Sequence, residues 1–160
     1  MIRLVGLCMV LAMSALANVA TASPTGACAD DRVTVSGDWG HANFNVLIAD
    51  TDPERAQGLM NVPAMPLMTG MLFVYDGPHP ASFWMRNTLI PLDMLFAGPD
   101  GTILALHENA VPLDETGIPG GDGIQFVLEI NGGMSDRLGI SVGDVIQHPV
   151  IGPDGAMPCG

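Results

Sequence analysis

The sequence predicts a mainly β domain, a compact β-sandwich or barrel-like fold with one or two short helices, and three observations predict it. Short apolar or alternating runs recur along the chain, glycine and proline punctuate them (20 and 13 of 160 residues), and only two stretches carry helix signals. In order, strands are expected at Arg32 to Ser36, Phe44 to Ala49, Met71 to Tyr75, Ser82 to Met85, Leu92 to Ala97, Thr102 to Glu108, Ile124 to Ile130 and Val145 to His148. Reversals are expected at Asp76-Gly77-Pro78, Pro99-Asp100-Gly101 and Pro153-Asp154-Gly155, where proline presets one backbone angle and glycine accepts the unusual one. The first helix starts at Thr51-Asp52-Pro53-Glu54, which supplies a capping hydroxyl, an early proline and an acid in the first turn, and it ends near Gly58. The second runs from Gly133 to Leu138 and stops at Gly139. This spacing favours a sandwich or barrel over a βαβ protein.

The N-terminus reads as an export signal. One basic residue, Arg3, precedes an apolar run from Leu4 to Ala17, and small residues follow up to Ala20-Thr21-Ala22. The expected organisation is a signal peptide over residues 1–22, a polar tail over 23–31, one β-rich domain over 32–151 and a C-terminal tail over 152–160. The expected location is periplasmic or secreted, with no integral membrane segment after cleavage, since no later run reaches the roughly 18 to 20 apolar residues a spanning helix needs. Cys28 and Cys159 lie near the two ends of the exported portion. They either pair, in an oxidising compartment, or remain loose thiols.

Charge removes several function classes. Five basic residues stand against 17 acids, for a net charge of −12, and all five are arginine. A surface of that sign repels phosphate backbones and anionic lipid, so no nucleic-acid partner is expected. Without lysine there is no Walker-type phosphate loop, Schiff base or pyridoxal site, and no cofactor is expected.

The centre of the chain carries an ordered series: Arg55 with Gly58-Leu59-Met60, then Gly70-Met71-Leu72-Phe73, then the block Phe83 to Asp93. Leu128-Glu129, Gly133, Gly139 and Gly143-Asp144 continue it. From Phe44 to Val150 the chain resembles the family called domain of unknown function 192. The resemblance implies a compact β-rich domain, often found behind a signal peptide, and no established activity. One departure follows Met60, where the family pattern implies a basic residue and Asn61-Val62-Pro63 stands instead.

Polar residues embedded in apolar sequence supply the candidate site, because a buried polar group costs a few kcal/mol unless it is hydrogen-bonded. Two readings compete. In the first, Asn87 and Thr88 cap a reversal, Asp93 or Glu129 accepts from backbone amides, and Arg55 pairs with a carboxylate, all for structural ends. In the second, Arg55, Trp84, Asn87, Thr88, Asp93 and Glu129 converge on a cleft for a small polar ligand with an anionic end, and Trp84 forms an apolar wall. The preferred function is a non-catalytic binding or accessory module. A hydrolase-like enzyme using Asp93 and Glu129 as acid and base is one alternative.

The other alternative is a Cu(I) binder using methionine, with Met65 and Met68 the residues not accounted for by core packing. Otherwise no metal site is expected, because the four histidines are scattered. Gly139-Ile140-Ser141-Val142-Gly143 matches a nucleophile elbow in letters, but a helix precedes it and a strand follows, the reverse of what an elbow needs. The Pro119 to Gly123 stretch reads as a surface loop in preference to a calcium loop.

Overall fold

The computed structural model describes residues 28–159. Seven strands follow in sequence: β1 (Arg32–Gly37), β2 (Gly40–Ala49), β3 (Thr69–Phe83), β4 (Leu92–Ala97), β5 (Ile103–Ala110), β6 (Ile118–Asn131) and β7 (Val145–Gln147). Helix α1 (Asp52–Gln57) separates β2 from β3, and α2 (Met134–Leu138) separates β6 from β7. All belong to one sheet in the order β5-β4-β6-β3-β2-β1-β7. Neighbours are antiparallel except β2 and β3, which run parallel with Asn45 opposite Thr69. Parallel neighbours need a crossover, and α1 with the segment after it supplies one. The helix starts as its sequence requires, since Thr51 and Glu54 form a reciprocal capping box.

The two edges of this sheet meet. Thr102, just before β5, bridges Val145 of β7, and the Ile103 amide donates to the Asp144 carbonyl at 2.8 Å. Between sandwich and barrel, this closure selects the curled, barrel-like form. Closure also leaves the outermost strands without a free template edge where they meet.

Strand alternation divides the apolar residues into two layers. One receives side chains from every strand, among them Val33, Phe44, Leu72, Leu95, Ile103, Phe126, Leu128, Ile130 and Ile146, and is the barrel interior. The other, on the outer face of β3, β4 and β6, holds Met71, Phe73, Met94, Phe96 and Val127 under Leu59 and Met85 from the connections. β6 is thus covered on both faces, which is why its sequence from Phe126 to Ile130 is nearly continuous in apolar residues.

Two departures from the sequence expectation matter for the site. Asp76-Gly77-Pro78 is not a reversal: β3 runs on to Phe83, paired with β6, and the register slips between Val74 and His79 and again near Ala81 and Ser82. Pro78 and Pro80 have no amide to offer, so the chain passes them in bulges instead of ending the strand. Trp84 and Met85, expected in a strand with Ser82, lie beyond it. Likewise Pro119 to Gly123 is not a surface loop but part of β6. Gly120 makes this possible, because a Cβ there would lie 2.3 Å from Phe96 Cδ1.

The segments expected to be tails are tied to the barrel wherever they are described. Cys28 and Cys159 form a disulfide across a sequence separation of 131, with Cα atoms 5.8 Å apart. The Val46 amide donates to the Asp31 carbonyl, His148 Nε2 meets the Asp30 carbonyl at 3.0 Å, and the Ala156 amide donates to the Asp100 carbonyl. The expected signal peptide, residues 1–22, lies outside the described residues. Among the described residues no helix is long and apolar enough to cross a membrane.

Candidate functional site

The site starts from the register of three strands. Glu129 of β6 stands opposite Met71 of β3 on one side and Met94 of β4 on the other, so its side chain enters the outer apolar layer where alternation demands a hydrophobe. β3 and β6 approach closely here because residue 70 is glycine; a Cβ on Gly70 would lie 2.3 Å from the Glu129 carbonyl oxygen. The Glu129 side chain is only 4% exposed, and no described group hydrogen-bonds its carboxyl. Burial alone therefore pushes its pKa up to about 8. Near neutral pH the carboxyl is mostly protonated and presents both a donor and an acceptor.

A small, solvent-open hollow lies in front of it, lined by Arg55 and Gly58 to Met60 from the end of α1, by Phe73 and Phe83 from β3, and by Trp84, Thr88 and Glu129. Its aromatic walls are mutually fixed, with the Phe73 and Phe83 rings edge-on at 5.1 Å and Phe83 edge-on to Phe96 at 5.6 Å. Trp84 is 49% exposed and has the Arg86 guanidinium 5.3 Å from its ring centre. The loops that form the walls are tied together by two asparagines, Asn61 and Asn87, with φ of 63° and 54°, a conformation asparagine tolerates better than most residues. The Asn61 amide donates to the Asn87 carbonyl at 2.8 Å.

Four of the six residues singled out from sequence thus share one concavity: Arg55, Trp84, Thr88 and Glu129. Arg55 does not wait there for an anion. Its Nη1 donates to the carbonyls of Asp50 (2.5 Å) and Val74 (2.7 Å), its Nη2 pairs with Asp52, and its guanidinium lies 5.1 Å from the Tyr75 ring centre. The expected anionic end of a ligand therefore finds no free cationic partner in Arg55. Thr88 is buried, and its hydroxyl donates to the Arg86 carbonyl at 3.3 Å. Asn87 is exposed outside the lining, and its side chain makes only a long contact of 3.9 Å to Met60 Sδ.

Asp93 is elsewhere altogether. It stands opposite Ile130 on the interior face of the sheet, while Glu129 is opposite Met94 on the outer face, so the sheet separates the two acids. Fully buried, Asp93 accepts from the amides of Asn109 (2.8 Å), Gly133 (2.8 Å) and Ser135 (2.7 Å), pinning the start of α2 and the end of β5 to β4. Such a carboxylate is a structural clamp. The structural reading of the polar residues thus applies to Asn87, Asp93 and Arg55, and the acid pair needed by the hydrolase alternative is not assembled.

Sequence reasoning missed Tyr75, Phe73 and Phe83. A period of two along β3 places Met71, Phe73 and Tyr75 on one face, and that signal was present. The Tyr75 hydroxyl has its pKa raised, first by burial, with Arg55 opposing and Glu129 adding to the rise. Of the methionines, Met60 lines the hollow, Met71, Met85 and Met94 are packed in the outer layer, Met65 is half-buried against it and Met68 is exposed. No group of three or more His, Cys, Asp or Glu side chains is placed to hold a metal among the described residues. Ser141 of the elbow-like pentapeptide sits between α2 and β7 with its amide bonded to Asp144, the context expected to rule out an elbow.

The family model DUF192, described as Uncharacterized ACR, matches residues 33–148. The chain belongs to the DUF192 family. Its barrel is similar to a crystal structure of a protein of unknown function from Novosphingobium aromaticivorans, at 45% identity and a TM-score of 0.70, over 72% of this chain and 82% of that one. It is also similar to a putative transcription regulator from Sinorhizobium meliloti, at 41% identity and a TM-score of 0.71, over 75% of this chain and 94% of that one. No curated protein matches the sequence. DUF192 membership accounts for the order of the central motifs, of which Gly58, Leu59, Met60, Phe73, Phe83, Trp84 and Thr88 line the hollow.

Proposed function

We propose that this DUF192 domain is a non-catalytic binding or accessory module working outside the cytoplasm, periplasmic or secreted, and that the hollow beside Trp84 receives a small polar ligand. One observation carries the reading: a buried carboxyl, Glu129, has no hydrogen-bond partner among the described residues and faces a solvent-open hollow with aromatic walls. A carboxyl set in an apolar layer and left with only the hollow in front of it is best explained by a group that arrives from solution. A catalytic role draws no support from the same hollow, since Glu129 has no second acid or base at hand there and Asp93 is committed to three amides. Export draws support from the N-terminal sequence and from the Cys28–Cys159 disulfide, a bond that persists in oxidising compartments.

The regulator description of the Sinorhizobium protein is not carried over. A net charge of −12 with five arginines, one of them bonded to Asp50, Val74 and Asp52, disfavours a phosphate backbone. The test is a thermal-shift screen of the purified protein against amines, sugars, nucleotides, carboxylic acids and metal ions, repeated on Trp84→Ala and Glu129→Gln. A ligand whose stabilisation is lost in both variants supports the reading. Stabilisation that survives both, or none from any class, sinks it.

A further inference from the structure

The charge class of the ligand is written into the hollow. Three aromatic rings, Phe73, Phe83 and Trp84, line it, and its polar floor is a carboxyl with no partner among the described residues. The one cationic side chain in its lining, Arg55, has both terminal nitrogens bonded to Asp50, Val74 and Asp52, and these neutralise and occupy it. Arg86 at the rim lies over Trp84 and pairs loosely with Glu115 at 3.9 Å. An anion entering here would meet an unpaired acid at the floor, and would find Arg86 only at the solvent-exposed rim, where it stands 3.9 Å from Glu115. A cation would meet the Glu129 carboxyl, which burial leaves poorly solvated when ionised, and that favours it.

We propose that the hollow binds a protonated amine on a short apolar stem, with the ammonium group against the Glu129 carboxylate and the stem against Trp84 and Phe83. This rests on the reading of the hollow as a ligand site and deepens it. An acidic protein of net charge −12 also attracts such a ligand from a distance. Binding is coupled to protons, because the ammonium selects ionised Glu129 and so releases a proton as it enters. The other ionisable neighbours are few: Arg55 from α1, Tyr75 from β3, and His79, which touches the Tyr75 ring at 4.1 Å and does not line the hollow. β4 contributes Met94 opposite Glu129, and the 84–91 segment contributes Trp84 and Thr88, none of which titrates.

Three matched probes test the inference: n-pentylammonium, 1-pentanol and pentanoate. The indole N–H resonance of Trp84 reports binding, and that of Trp39, held by Asp144 at 2.7 Å and absent from the lining, serves as internal reference. The expected result is that pentylammonium shifts Trp84 at millimolar concentration, at least tenfold more tightly than either isostere, with affinity rising several-fold from pH 6 to pH 8. In Glu129→Gln both the tenfold preference and the pH dependence vanish, while Trp84→Ala, read by calorimetry, weakens binding at every pH. If pentanol or pentanoate binds Trp84 as tightly as the amine, the charge class is wrong and the hollow remains a ligand site. If the amine preference survives in Glu129→Gln, the carboxyl is not its partner and the inference is overturned. If none of the three probes moves Trp84, the inference fails outright, and the broader screen then decides whether the hollow binds anything.

Discussion

Replacing Glu129 with glutamine should change how stability depends on pH more than it changes the fold. In the folded protein the carboxyl titrates near 8, against 4.5 for an ordinary glutamate. Between those values the native state holds a proton that the unfolded chain has released, so stability must fall as pH rises. It is fully present below about pH 4.5 and lost once pH has passed through 8. Each pKa unit is worth 1.36 kcal/mol, so the difference of 8 − 4.5 sets a ceiling of about 5 kcal/mol, a large part of a typical domain's stability. Glutamine is neutral at every pH and keeps the shape.

Urea titrations of both proteins from pH 5 to pH 9 should therefore diverge. The wild type loses about 1 kcal/mol or more per unit up to pH 8 and then levels, and the variant lacks that slope. His148 acts in the opposite sense, because burial lowers its pKa and stability rises with pH toward 6.5, but it is common to both proteins and cancels in their difference. Parallel curves for the two proteins across this range would refute the placement of an unpartnered acid in the outer apolar layer.

Four further outcomes follow from the structure. Reducing the disulfide, or the double change Cys28→Ser with Cys159→Ser, should lower stability by about 5 kcal/mol on the chain-entropy estimate for a loop of this length, read as the shift in urea midpoint with and without reductant. Asp93→Ala strands three buried amides and should cost about 3 to 5 kcal/mol; a cost under 1 kcal/mol would mean the clamp is dispensable. Gly70→Ala forces β3 away from the Glu129 carbonyl and should cost at least ~2 kcal/mol by thermal denaturation, where a half-exposed residue changed in Trp84→Ala should cost less than ~1 kcal/mol. Trp84→Ala should nonetheless abolish stabilisation by any ligand of the hollow, and retained stabilisation would place that ligand elsewhere.

Much of the barrel is legible residue by residue, and the failures have a common cause. Leu92 to Ala97 was expected as a strand and is one with the same limits, because its ends coincide with Pro91 and a glycine turn. Asp76-Gly77-Pro78 misled, because turn-forming residues also serve bulges, and only the partner strand decides which. Pro119 to Gly123 misled for a related reason: a glycine that looks like flexibility is there to let Phe96 pass.

The site divides in the same way. That Asp93 and Glu129 need explanations follows from sequence, since each interrupts an apolar run. Which of them is satisfied does not, because the amides that Asp93 accepts belong to residues 16 to 42 positions away. Opposite faces follow only from the pairing of β4 with β6, in which Met94 and not Asp93 is the neighbour of Glu129. Arg55 reads as an anion receptor until α1 and β3 are in place, when two carbonyls and an aspartate take its donors.

The bond between Cys28 and Cys159 has a mechanical meaning as well. A pull applied at these two positions is carried by the sulfur–sulfur link and never reaches the strands, so the barrel bears no load while the link is intact. Once it is reduced, the same pull acts on β1 and β7, which lie side by side through Val35 and Ile146, and would peel that pair apart from its ends. Resistance to stretching is thereby set by redox state, whatever the hollow on the outer face contains.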